Sequence, residues 1–447
     1  MNDLASDAHR LPTESHAARR AALACMVTLA VALGVGRFAF TPLLPLMLHG
    51  GAFGQPPIDI EHGGWLASFN YAGYFVGALT CAALRVEPAR VVRAGLALTV
   101  LLTLAMGVTS QFWVWAVVRF VAGAVSAWTF VFASQWGLRR LAELRQPAWS
   151  GVIYTGPGVG IVGTGLLVSA AGGYGATAGW IGFGLISAVL AAAVWPAFGN
   201  AAASDRKAAG RASASSATER RASDVAAATS DETGASRAGA ATTRHPTVNS
   251  APATHRADAF WLVVLYGVPG FGYIITATFL PVIARHALPG SPWPDLFWPM
   301  FGAALMVGAL LAARLPLHLD NRVLLAGSYV LQAAGIALGI VWPTAGGFSL
   351  GSILIGVPFT AITLFAMREA RRLRGDDAAG LMGYATAAYG LGQIVGPLVA
   401  APIAAHTGSF SLALWLAAGA LLVGAAGLVV VARMPRGRGR MPDCGCG

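Results

Sequence analysis

The sequence predicts an all-α integral membrane protein, with twelve transmembrane helices in two pseudo-symmetric six-helix halves. Three observations carry that expectation: composition, the recurrence of apolar runs of membrane-spanning length, and a repeat at a nearly constant offset. Of the 447 residues, 56% are hydrophobic and 11% charged, whereas soluble domains carry about 25% charged residues. With a mean hydropathy of +0.64, most of the chain must be solvated by lipid, which excludes a soluble enzyme. The net charge is +11, and all 30 basic residues except Lys207 are arginine. Membrane proteins gather such residues in cytoplasmic loops, so the basicity speaks for orientation and not for nucleic acid. Cys25, Cys81, Cys444 and Cys446 form neither a disulfide framework nor a four-ligand zinc spacing, and no metal or cofactor is expected.

The elements follow in order. Residues 1–20 form a polar cytoplasmic tail, and the apolar run 21–48 after it is too long for a signal-peptide core, so it anchors the chain. Runs 63–84 and 91–109 are divided by a basic loop, and 112–138 ends at Arg139 and Arg140. Runs 148–171 and 176–198, divided by an uncharged loop, complete the first half, 21–198. The segment 199–257 is rich in Ala, Ser, Thr and Arg and holds no Phe, Trp or Tyr, so it is expected to be a disordered cytoplasmic linker. Runs 259–284, 296–313, 323–342, 348–367, 378–404 and 410–432 make the second half, 258–433, before a cytoplasmic tail, 434–447. Each run has the length of a spanning helix, about twice that of a barrel strand, and lacks polar alternation. Apart from Arg37, Arg119 and Arg285, the basic residues fall in the tails, the linker and the loops on one side. That side is expected to be the cytoplasm, with both termini there.

The halves share short motifs. Val76-Gly77-Ala78-Leu79 recurs at Val307-Gly308-Ala309-Leu310, an offset of 231. The stretch from Arg90 to Gly95 corresponds to Arg322 to Gly327 at 232, and Gly34, Val35 and Phe38 to Gly267, Val268 and Phe271 at 233. Arg139-Arg140-Leu141 matches Arg371-Arg372-Leu373, and Gly158-Val159-Gly160 matches Gly390-Leu391-Gly392, both at 232. Six spans separate the copies, so they share orientation and are related by an axis along the membrane normal.

A parallel six-plus-six repeat with a cytoplasmic linker resembles the major facilitator superfamily over nearly the whole chain. Arg119-Phe120-Val121-Ala122-Gly123 is similar to its RxxxG signature in span four. The loop-two signature departs from the pattern, keeping Arg85, Arg90 and Arg93 but lacking its Asp. The stretch from Gly36 to Met47, with Arg37, Pro42 and Pro45, and that from Gly64 to Tyr74, with Asn70 and Tyr74, resemble the YbfB/YjiJ family of bacterial facilitator-type transporters. The resemblance implies a monomeric, multi-pass protein of the bacterial inner membrane that moves a small solute by alternating access, coupled to protons or to a counter-solute. It also implies that helices one, four, seven and ten line the cavity, and it makes Arg90 and Arg322 candidate gating residues.

Arg37 is the sharpest candidate for binding that solute. A guanidinium inside an apolar span costs on the order of 3 kcal/mol to insert and cannot shed its charge. By helix rise Arg37 lies roughly 16 Å, and Arg119 roughly 10 Å, below the outer ends of their spans. No Asp or Glu lies deep in any span; Asp59, Glu61 and Asp295 sit near helix ends. An organic anion is the natural partner, since the planar fork binds carboxylate or phosphate bidentately. The alternative is structural: Arg37 bonding carbonyls freed by Pro42 and nearby glycines or stacking on an aromatic ring, and Arg119 serving its signature.

Pro42, Pro45 and Pro281 are expected to bend their helices, and Gly123, Gly158, Gly160 and Gly392 to allow close helix contact for packing and gating. A second tier of binding candidates comprises Asn70, Tyr71, Tyr74, Trp128, Gln135, Tyr154, Tyr266, Tyr273, Tyr389 and Gln393. Trp113, Trp115, Trp293 and Trp298 read as interface anchors. No motif supports catalysis, and the glycine-rich stretches lie in apolar helices and not in a phosphate-binding loop. Beside the anion transporter stand two other readings: an exporter of hydrophobic or cationic compounds, and a transport-inactive membrane receptor or scaffold.

Overall fold

The computed structural model describes the backbone of residues 2–50, 57–199, 253–316, 318–375 and 378–434, so all but the ends of the expected 199–257 linker, and the tail from 435 onward, lie outside the described residues. The helices are α1 (Asn2–Leu29), α2 (Phe40–Leu48), α3 (Ile60–Thr80), α4 (Pro88–Val108), α5 (Phe112–Glu143), α6 (Ser150–Ile153) and α7 (Gly156–Ala171). After α8 (Gly175–Gly199) come α9 (Ala253–Ala287), α10 (Pro294–Arg314), α11 (Asn321–Val341), α12 (Ala345–Arg374), α13 (Ala378–Thr407) and α14 (Ser411–Arg433). There is no strand among the described residues.

Among the described residues, eleven helices are long and apolar enough to cross a membrane. The expected span 63–84 is a helix too, the 21 residues of α3, but Asn70, Ser68, Trp65, Tyr71, Tyr74 and its glycines dilute its hydropathy and it is not among the eleven. Local signals explain the boundaries. Asp59 accepts from the His62 amide at the start of α3, Asp320 from Arg322 at the start of α11, and Thr344 from Gly347 at the start of α12. At its other end α12 carries Arg371, Arg372 and Arg374, which suit the negative pole of the helix dipole.

The apolar run 21–48 is one span but not one helix. After α1 the chain widens into a π-helical turn, Ala30–Val35, then passes through a turn at 36–39 before α2 begins. The Gly36 and Phe38 amides reach back five residues, to Val31 and Leu33. Pro42 has no amide to donate, and Thr41 bonds forward of the usual position, to the Phe38 carbonyl at 3.2 Å. The Gly36 and Arg37 carbonyls are thereby left for other partners.

Small residues set the packing, and the repeat is visible in it. A Cβ on Gly123 of α5 would lie 2.0 Å from the Asn70 carbonyl of α3, and one on Gly356 of α12 would lie 2.6 Å from the Phe301 carbonyl of α10. Likewise Gly77 closes on Ala124, and Gly308 on Val357. Gly34 meets Gly160, and Gly392 meets Gly267, at the corresponding places. Backbones this close exchange dispersion contacts that no larger residue could make in lipid. Helices α1–α8 meet α9–α14 chiefly through α3 against α13 and α7 against α10, where Gly158 faces Gly302 and Gly165 faces Pro299. One large hydrophobic core runs through both sets, and a second lies within α1, α4, α5 and α8 toward the arginine-rich end of the bundle.

Candidate substrate site

The break in the first span carries the site. Because the chain leaves helical geometry at 36–39, Arg37 is turned into the seam between α1–α8 and α9–α14, where it is 5% exposed. Its Nη2 donates to Gln393 Oε1 of α13 at 2.7 Å, and Gln393 Nε2 in turn donates to the Tyr273 hydroxyl of α9. The guanidinium lies 4.0 Å over the Tyr74 ring, 5.2 Å from that of Tyr71 and 5.3 Å from that of Phe38. Its Nε is buried without a partner. Ion pairs among the described residues engage Asp59, Glu87, Glu143, Asp295, Asp320 and Glu369, and none involves Arg37 or Arg119. A buried cation is therefore held by a neutral amide and three aromatic faces.

Arg119 has a different setting. Its Nε donates to the Leu66 carbonyl at 3.4 Å, Nη1 to that of Gly36 at 3.5 Å and Nη2 to that of Arg37 at 3.3 Å. It occupies the carbonyls that the broken span leaves free, while Phe40 covers its guanidinium at 4.7 Å. Asn70 Nδ2 donates to the Arg119 carbonyl at 2.9 Å, so these two residues hold backbone beside the cluster. The cation that shapes the site and the cation that faces the seam are distinct residues.

Around Arg37 the rings continue. Tyr266 stacks on Tyr389 at 5.0 Å, Tyr389 on Tyr273 at 5.9 Å, and Tyr273 meets Phe359 edge-on at 4.9 Å. Phe301 stacks on Trp298 at 5.1 Å, and Trp298 reaches Phe38 at 6.1 Å. Further hydrogen bonds cross the same seam: Ser68 to the Ile394 carbonyl, Tyr71 with Thr278, and Thr41 to the Ala277 carbonyl. All lie at mid-depth or toward the end of the bundle away from the arginine-rich loops. At that arginine-rich end, the α13 positions Gly380 and Gly383 have open space beside them and Tyr384 is 72% exposed.

Of the sequence candidates, Arg37, Tyr71, Tyr74, Tyr266, Tyr273, Tyr389 and Gln393 come together here. Trp128 does not: its Nε1 donates to Thr80 near the arginine-rich end, among the second core. Trp113 and Trp293 stand out from the bundle as anchors do, whereas Trp115 and Trp298, expected at the interface, are 1% and 0% exposed. Trp115 is drawn in because its indole donates to the Met106 and Thr109 carbonyls at the end of α4. Sequence reasoning missed Phe38, Phe301 and Phe359, since an apolar ring in an apolar helix has no distinguishing pattern.

It also missed an ionic cluster at the arginine-rich end. Glu369, 1% exposed, accepts from Arg372 at 2.5 and 2.7 Å and from Asn321 at 3.4 Å, with Arg322 at 3.8 Å. Arg322 also pairs with Asp320 and donates to the Val431 carbonyl, tying α11, α12 and α14. Its repeat partner Arg90 makes only an exposed pair with Glu87. The i, i+3 spacing of Glu369 and Arg372 was the available signal. Among the described residues no group of three or more His, Cys, Asp or Glu could hold a metal.

A break, a buried unpaired cation and a seam between two sets of spanning helices define a membrane transport protein. The profile of the family described as uncharacterised MFS-type transporter YbfB matches residues 29–230 and 234–430, and the chain belongs to that family. No curated protein matches it. Among solved structures, a crystal structure of a variant of the nucleoside transporter NupG is similar at a TM-score of 0.66 and 12% identity, covering 92% of this chain and 99% of that one. At that identity the likeness concerns the fold alone.

Proposed function

We propose that this transporter carries a small organic anion by alternating access between two six-helix halves, 21–198 and 258–433. The observation that carries the reading is Arg37, buried in the seam without a carboxylate and bonded to the neutral Gln393. A guanidinium cannot discharge, so its burial is best compensated when an anion occupies its fork. Arg37 and Gln393, with Tyr74, Tyr266 and Tyr273, are the binding set; Arg119 holds the broken span in shape, and Asn70 holds the Arg119 backbone. The equivalent glycine contacts in the two sets of helices support a pseudo-symmetric pair of halves. The cross-seam hydrogen bonds support a carrier sealed on one side, away from the arginine-rich end. With α3 as the twelfth span, that end faces the cytoplasm of a bacterial inner membrane by the distribution of arginine, and both termini lie there. We expect a monomer, coupled to protons or a counter-solute.

The test is a thermal-shift screen of purified protein against carboxylates, phosphates and amines, followed by flux of the hits in proteoliposomes. Bound cargo stabilises the folded state by mass action. Anions should raise the melting temperature of the native protein and not of Arg37→Ala; stabilisation by amines, or an anion response indifferent to Arg37, refutes the reading. Binding without turnover would mark a receptor.

A further inference from the structure

Two features of the Arg37 site specify more than a negative charge. The first is which guanidinium atoms are free. Nη2 is held only by a neutral amide, and Nε, in a side chain 5% exposed, has no partner. Nε and Nη2 form one edge of the fork, the edge that two carboxylate oxygens take side by side. A carboxylate arriving there displaces Gln393 from Nη2 and supplies the acceptor that Nε lacks, replacing one bond to a neutral acceptor by two bonds to an ionised one.

The second feature is what stands on either side of the seam. From α1–α8 come Phe38, Tyr71 and Tyr74, with the Arg37 guanidinium carbon 4.0 Å over the Tyr74 ring. From α9–α14 come Tyr266, Tyr273 and Tyr389, stacked on one another within 25° of parallel. Arg37 and Gln393 stand between the two sets, Arg37 over the Tyr74 ring and Gln393 on the Tyr273 hydroxyl, so when the halves part the space around them is a slot with rings on either side. A slot with aromatic walls rewards a flat ring, by offset stacking and edge contacts, beyond the area that an aliphatic group of equal size would bury.

Resting on the organic-anion reading above, we infer that the cargo is a planar aromatic carboxylate, its carboxylate on the Nε–Nη2 edge of Arg37 and its ring between Tyr74 and the Tyr273–Tyr389 stack. The same walls without an acidic residue do not suit an aromatic amine, whose charge would meet that of Arg37.

The probes are benzoate, cyclohexanecarboxylate and benzylamine, read by melting temperature as a function of probe concentration on the full chain. Benzoate and cyclohexanecarboxylate match in charge and approximate size and differ in planarity, and benzylamine keeps the ring and reverses the charge. Benzoate should stabilise at concentrations roughly tenfold lower than cyclohexanecarboxylate, and benzylamine should not stabilise. Arg37→Ala should abolish the benzoate response; Arg37→Gln, which removes the charge and keeps a polar amide, is the second variant if the first does not fold. Tyr389→Leu should erase the preference for benzoate while leaving an Arg37-dependent response to both anions. Equal response to the two carboxylates overturns the aromatic inference and leaves the anion reading standing. Stabilisation by benzylamine, or a benzoate response that survives loss of Arg37, overturns both. Silence to both carboxylates overturns the inference, and the phosphate and aliphatic dicarboxylate arms of the wider screen then decide the anion reading.

Discussion

Replacing Gln393 by Leu removes the one hydrogen-bond acceptor that meets the Arg37 side chain in the sealed seam, the Oε1 at 2.7 Å from Nη2. It also removes the donor to the Tyr273 hydroxyl. In the parted arrangement water reaches Arg37 and takes the place of Gln393, so the loss falls on the sealed arrangement alone. A hydrogen bond to a charged group contributes about 1.5–3 kcal/mol, so the ratio of sealed to parted molecules should fall roughly 10- to 150-fold. Spin labels at Glu61→Cys on α3 and Ala405→Cys on α13, in a background without the four native cysteines, report the separation of the far ends by electron-electron distance measurement. Gln393→Leu should add a longer distance component that Gln393→Glu, with an ion pair to Arg37, suppresses. If folded Gln393→Leu protein keeps the unaltered distance distribution, Arg37 is not a seal between the halves, and the reasoning fails.

Three other outcomes follow from the geometry. Arg119→Ala leaves the Leu66, Gly36 and Arg37 carbonyls without their donor, so it should lower stability by about 1–3 kcal/mol, whereas Arg37→Ala should lower transport with little loss of yield; melting temperature and flux on the same samples separate the two. Gly123→Ala forces a Cβ to 2.0 Å from the Asn70 carbonyl and should destabilise by about 1–3 kcal/mol, while Gly163→Ala, with nothing within 4 Å, should be neutral or slightly stabilising. Glu369→Gln removes the carboxylate that Arg372 and Asn321 bond, while Arg322 keeps Asp320, and should destabilise by about 1–3 kcal/mol, against almost no change for the exposed Arg90→Gln; thermal denaturation checks both.

The membrane class, the α-helical content, most span boundaries and the internal repeat were legible in the sequence. They rest on quantities local to the chain or shared between its copies: about twenty apolar residues make a span whatever surrounds them, and a constant offset survives any packing. Arg37 was legible for the same reason, because a permanent charge in an apolar run is costly in every fold. Its environment was not. The π-helical turn at Ala30–Val35 carries no Pro or polar signal of its own, and it is this turn, with Pro42 after it, that sets the direction of Arg37 and frees the carbonyls that Arg119 takes. From the sequence Arg37 was the sharper candidate, but the two arginines were similar in depth and alike in lacking an acid; only the tertiary structure gave one to backbone and the other to a seam. Gln393 is 356 residues from Arg37, and nothing in either segment pairs them. Composition records how much charge and how many rings lipid must cover, whereas the choice among partners depends on which helix faces meet, and in this chain that choice was made by glycine contacts and a broken helix.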